Sequence, residues 1–153
     1  MRIARRNALR NILAACGAAA AGLAAPLRAL AAWPQSAFDA KTPKEAIDAL
    51  YRGETLEQNA AVRIVAPELA ENGGVVPITV VANVPDIESI TILAEGNPRA
   101  LTSTYKLGKR ARGPISVRVK LAKSQNVTAL VRAGGMTYRA TQKGTVSVGG
   151  CGG

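Results

Sequence analysis

Ile115-Ser116-Val117-Arg118-Val119-Lys120-Leu121 alternates apolar and polar residues without a break. Ile115, Val117, Val119 and Leu121 fall on one side of an extended chain; Ser116, Arg118 and Lys120 fall on the other. That period of two belongs to a β-strand with one buried face. The same pattern runs through residues 76–84, where Ile78, Val80, Ala82 and Val84 alternate with Thr79, Val81 and Asn83. Further short β-rich runs occupy residues 62–65, 89–94, 101–107, 127–132, 136–140 and 145–148. Turn residues separate them: Glu71-Asn72-Gly73-Gly74, Pro85-Asp86, Gly96-Asn97-Pro98, the basic loop 108–113, Ser124-Gln125-Asn126 and Gly134-Gly135. Seven or eight short strands within about 90 residues have the count and spacing of an immunoglobulin-like antiparallel β-sandwich. The fold class expected is therefore all-β, with a small barrel as the alternative.

Upstream of the strands, Thr42-Pro43-Lys44-Glu45 reads as a helix start. Thr42 can cap, Pro43 suits the first helical position, and Glu45 is placed to complete a capping box. Ile47, Leu50 and Tyr51 then form one apolar face, and Gly53 is a natural stop. The spacing predicts a short amphipathic helix over 43–52.

The first thirty residues read as an export segment. Arg2, Arg5, Arg6 and Arg10 precede an Ala-rich apolar stretch, and Ala29-Leu30-Ala31 offers a cleavage site. Arg5, Arg6 and Leu9 fit the R-R-x-x-L pattern of a twin-arginine signal, with an ordinary secretory signal as the alternative. A span is not expected, because a bilayer needs about 20 apolar residues and this stretch is shorter. Cys16 follows Leu13-Ala14-Ala15 as in a lipoprotein box, but only five residues separate it from Arg10. That is too few for an apolar region of roughly 7–15 residues. The expected organisation is an export signal at 1–31, a helix-bearing segment at 32–60, a β-sandwich at 61–148 and an arm at 149–153. Localisation is expected to be periplasmic, without stable membrane insertion.

Cleavage after Ala31 removes five arginines and no acid, lowering the net charge from +10 to +5. The remaining charge is unevenly divided. Residues 32–95 carry four Lys/Arg and ten Asp/Glu, whereas residues 96–153 carry eleven Lys/Arg and no acid. Export and the scarcity of stacking aromatics argue against nucleic acid, so the basic half is read as attracting anions or an acidic partner. There is no histidine, which removes the commonest general base and metal ligand. One cysteine remains after cleavage, so no internal disulfide can form. Such a cysteine in an exported protein points to inter-chain pairing or to a reactive thiol.

That cysteine lies in Gly149-Gly150-Cys151-Gly152-Gly153. Four glycines leave nothing to pack, so a flexible arm is expected. Five extended residues reach roughly 17 Å at about 3.4 Å each. The only side chain on so thin a segment is a thiol, which could enter a narrow pocket. Its ordinary pKa is near 8.5, and no sequence neighbour would activate it, the nearest base being Lys143. Activation would fall to another protein. One thiolate without histidine does not make a structural metal site. Chain physics alone leaves two readings open: a presented reactive thiol, or a tail that crosslinks two copies.

At these residues the sequence resembles the SoxY family, carrier subunits of the bacterial thiosulfate-oxidising Sox system. The resemblance lies in Ala66-Pro67-Glu68-Leu69-Ala70-Glu71-Asn72-Gly73, Val76-Pro77-Ile78-Thr79-Val80 and Ala94-Glu95-Gly96-Asn97-Pro98. It continues through residues 118–127 and ends in the complete Gly149–Gly153 motif. It implies a heterodimer with a SoxZ-like subunit, which is exported alongside. It further implies covalent attachment of sulfur intermediates to Cys151, with Gly149, Gly150, Gly152 and Gly153 as spacer. A c-type cytochrome would load thiosulfate, a hydrolase would release sulfate, and a sulfane dehydrogenase would act on the remaining sulfur. The carrier would be no enzyme and would need no cofactor of its own. Haem, manganese or molybdenum would belong to the partners.

Overall fold

The computed structural model describes residues 34–111 and 113–148. The expected export signal, with Arg5, Arg6 and Leu9, and the arm, with Cys151 and its four glycines, lie outside the described residues.

Among the described residues two helices come first: α1 (Gln35–Asp39) and α2 (Pro43–Tyr51). Helix α2 starts where the capping residues place it. Thr42 is extended, and its Oγ1 accepts the Glu45 amide at 3.3 Å. The return bond differs from a standard capping box, because Glu45 Oε2 accepts the Lys41 amide rather than that of Thr42. The helix ends on Arg52 in the left-handed region (φ 43°), whose amide reaches Asp48 O, and Gly53 follows at φ 84°. Gly53 was the expected stop; the left-handed turn in fact begins one residue earlier.

Ten strands follow: β1 (Leu56–Gln58), β2 (Val62–Val65), β3 (Ala70–Asn72), β4 (Val76–Ala82) and β5 (Ile87–Ala94). Then come β6 (Leu101–Lys106), β7 (Ile115–Val119), β8 (Gln125–Ala133), β9 (Met136–Gly144) and β10 (Val146–Val148). They form a five-stranded sheet, β1-β9-β8-β5-β6, a three-stranded sheet, β2-β4-β7, and a two-stranded pair, β10-β3. The mostly-β expectation holds. The all-antiparallel expectation does not, because β1 runs parallel to β9 and β10 parallel to β3. Glu71 and Asn72, expected in a turn, belong to β3.

The five- and three-stranded sheets share one core. Val62, Ile64, Val76, Ile78, Val80 and Val119 come from the smaller sheet. Ile90, Ile92, Ala94, Val127, Ala129 and Val131 come from β5 and β8. Register pairs Ile90 with Val131, Ile92 with Ala129 and Ala94 with Val127, so these side chains share a face. The intervening residues of β5 and β8 serve the other face. There Leu93, Leu101 and Leu130 pack with Ala37, Ala46 and Tyr51 from the helical segment. Residues 90–94 and 127–131 are therefore buried without interruption, as in a sheet covered on both sides. Each fully buried Leu or Ile contributes about 1.5–3 kcal/mol.

A chain of hydroxyls runs along the helix-covered face, although Thr102 Oγ1 and Ser103 Oγ on β6 are buried without a partner. The Tyr51 hydroxyl donates to Thr91 Oγ1 at 2.9 Å, and Thr91 and Thr104 hydroxyls meet at 2.8 Å. Burial raises the Tyr51 pKa above the usual 10, because phenolate would be poorly solvated there. Arg132 lies over the Tyr51 ring at 4.9 Å and pairs with Glu54, whose other oxygen accepts the Thr137 hydroxyl at 2.6 Å.

Candidate functional site

The expected site residues lie beyond Val148, so the structure bears on how the preceding segment is held. Strand β9 ends on Gly144, which is buried. A Cβ there would stand 2.8 Å from Leu121 Cδ1, so the strand approaches the β7–β8 connection closely. Thr145 O then accepts the Ala70 amide at 2.8 Å. Strand β10 continues beside β3, with Val146 opposite Ala70 and Val148 opposite Asn72. Ser147 Oγ reaches Ala70 O at 3.4 Å.

Ser124 clamps the start of this strand from the other side. Its Oγ accepts the Val146 amide at 3.0 Å and lies 3.2 Å from Val146 O. Ser124 is itself placed by a polar cluster. Asn97 Oδ1 accepts the Ala122 amide and the Gln125 carboxamide, both at 2.9 Å, while Asn97 Nδ2 donates to Lys120 O at 2.7 Å. Gln125 also bonds Lys123 O and accepts the Gly96 amide. A Cβ on Gly96 would meet Lys123 Cε at 2.7 Å and Gln125 Oε1 at 3.1 Å, so a larger residue would push this cluster apart. The Gly96-Asn97 turn and the Ser124-Gln125 turn are distant in sequence and meet here.

On the far side, β3 turns into β4 through Asn72-Gly73-Gly74. Asn72 Oδ1 accepts the Gly74 amide at 2.7 Å, and Gly73 O accepts the Leu121 amide at 2.7 Å. The C-terminal segment is thus rooted on β3 and on the connection into β8, where Glu71-Asn72 and Ser124-Gln125-Asn126 were expected only as turns; Gln125 and Asn126 instead begin β8. The signal that could have found this root is Ser124 beside Gln125, next to an Asn-bearing Gly turn. It becomes legible only once the two turns are known to touch.

Among the described residues no group of three or more His, Cys, Asp or Glu side chains could hold a metal ion. Among the same residues no helix is long and apolar enough to cross a membrane. The sequence-predicted site residues, Cys151 and its glycines, are not among those placed.

Comparison with known proteins follows the same residues. The family described as sulfur oxidation protein SoxY matches residues 47–151 of this chain, a span that includes Cys151. Among solved structures, the sulfur carrier protein SoxY from Chlorobium limicola f thiosulfatophilum is similar, with 32% sequence identity and a TM-score of 0.62. That match covers 69% of this chain and 96% of the other. Among curated proteins there is no significant match.

Proposed function

This chain belongs to the SoxY family of sulfur oxidation proteins, and from that premise we propose that it carries sulfur intermediates covalently on Cys151. The observation that carries this reading is the family match, which runs to Cys151, together with the likeness to a solved sulfur carrier protein. The rooted strand β10 supports it, because it holds the start of the C-terminal segment against the body.

The chemistry balances without a catalytic group on this chain. Loading joins the Cys151 thiolate sulfur to the outer sulfur of thiosulfate, forming one S–S bond and releasing two electrons to a c-type cytochrome. Water then attacks the terminal sulfonate sulfur in a hydrolase. The S–S bond to that sulfur breaks, sulfate and two protons leave, and a persulfide stays on Cys151. A sulfane dehydrogenase oxidises the remaining sulfur. In this proposal the carrier is non-enzymatic and binds no cofactor, and its sheets form an immunoglobulin-like sandwich. It pairs with a SoxZ-like subunit and works in the periplasm after twin-arginine export directed by Arg5, Arg6 and Leu9. Gly149, Gly150, Gly152 and Gly153 let the thiol reach into successive partners.

Intact-mass spectrometry of protein from thiosulfate-grown cells, before and after reduction, tests the reading. Reducible masses of sulfur, thiosulfonate or sulfonate on the Cys151 peptide are expected, and Cys151→Ser abolishes them while leaving the fold intact. An unmodified thiol, or only a symmetric disulfide dimer, would replace the carrier with a crosslinked structural module.

A further inference from the structure

Away from the C-terminal root, a cleft of about 400 Å³ opens between β2, the edge of the small sheet, and the β1–β9 edge of the large one. Its floor includes the core residues Val62 and Ile64, and two arginines, Arg63 and Arg139, stand in its wall. Gln58, opposite Arg139 in the β1–β9 register, and Gln142 add carboxamides. No acidic residue lines it. Neither arginine is ion-paired among the described residues, although three other ion pairs form there. Arg139 Nε is buried and has no hydrogen-bond partner.

Arg63 is exposed, but the buried and unpartnered Nε of Arg139 does not suit a solvated face. A buried donor on a charged group is costly when it is left unpaired, and a cleft holding two like charges is self-repulsive without a counterion. Guanidinium groups present paired N–H donors whose spacing matches two oxygens of one anion. A few hundred Å³ of volume, an apolar floor and a few polar side chains in the lining are attributes of a small-ligand pocket.

We propose that this cleft binds a small tetrahedral oxyanion of the sulfate class, held between Arg63 and Arg139. Each guanidinium takes one edge of the anion, Arg139 Nε gains its missing acceptor, and the carboxamides complete the shell. The site is independent of anything attached to Cys151.

The test is titration of the full chain carrying Cys151→Ser, so that no adduct forms, with sodium sulfate, followed by amide and arginine Nε–H NMR shifts. Sodium chloride at equal ionic strength is the control. Saturable shifts at Arg139 Nε–H and at residues 58–64 and 139–142, with sulfate alone, are expected. Arg63→Gln, at an exposed position, keeps the fold and raises the half-saturating sulfate concentration roughly tenfold or more. Arg118→Gln, on β7 outside the cleft, leaves it unchanged. Shifts that grow linearly and equally with both salts would overturn the proposal, as would saturation that Arg63→Gln leaves unaltered.

Discussion

Strands β8 and β10 stand at opposite ends of this molecule's range. Strand β8 lies between β5 and β9, and Val127 through Val131 are buried on both faces. Strand β10 has three residues and one strand partner, and depends on Ser124 for its remaining backbone bonds. The first is held by burial, which is cooperative with the rest of the core. The second is held by a few hydrogen bonds, each contributing about 1 kcal/mol, and by Val146, which is only partly buried against that core. Stability thus rests on one strand and, in the proposed carrier, presentation on another. The weakly held strand is the one that leads to the cysteine.

The comparison breaks if a core substitution proves mild. Ile92, fully buried on β5 opposite Ala129, leaves a cavity when cut back. Ile92→Ala is expected to cost about 2–5 kcal/mol in urea denaturation. A cost below 1 kcal/mol would mean that the two sheets do not share a tight core.

The helix-covered side offers a smaller perturbation. Tyr51→Phe removes the bond to Thr91, whose hydroxyl keeps Thr104, so about 1 kcal/mol is expected. The same variant has a pH signature. Because the folded-state pKa of Tyr51 is raised above 10, the folded protein keeps a proton that the unfolded chain releases. That contribution is complete below about pH 10 and is lost as pH rises through the folded-state value. Tyr51→Phe should flatten the alkaline part of the stability profile. An unchanged slope would place the titrating group elsewhere.

The smallest global effect sharpens the contrast most. Ser124→Ala removes two exposed hydrogen bonds and should lower unfolding free energy by only about 0.5–1 kcal/mol, well below the cost of Ile92→Ala. Hydrogen exchange at the Val146 amide should nonetheless accelerate markedly, because that segment then opens on its own. If Ser124→Ala instead destabilised the whole domain as Ile92→Ala does, β10 would belong to the cooperative core.

What the sequence revealed follows the same division. Strands β2, β4 and β7 were legible because one face is buried and the other is not, which writes a period of two into the side chains. Strands β5 and β8 were legible as apolar runs, and α2 by its cap. Helix α1 was not, since five residues with Ala37 alone buried leave no period, and its N-terminus has no side-chain cap. Strands β1 and β3, Leu-Glu-Gln and Ala-Glu-Asn, are strands only because β9 and β10 run beside them. Nothing local encodes a parallel partner. Cys151 stood out by composition alone, whereas Arg63 and Arg139 look like ordinary outward residues of separate strands. Only the pairing of sheet edges brings them to one cleft.

The parallel pairing of β10 with β3 also has a mechanical meaning. A strand drawn along its own axis loads all its ladder bonds together in shear, whereas one lifted sideways releases them singly. Tension passing through Val148 along the line of β10 is therefore shared with β3 and with the Ser124 clamp at Val146. The same few bonds that contribute little at equilibrium act as strain relief, keeping a tug on the chain end from reaching the core.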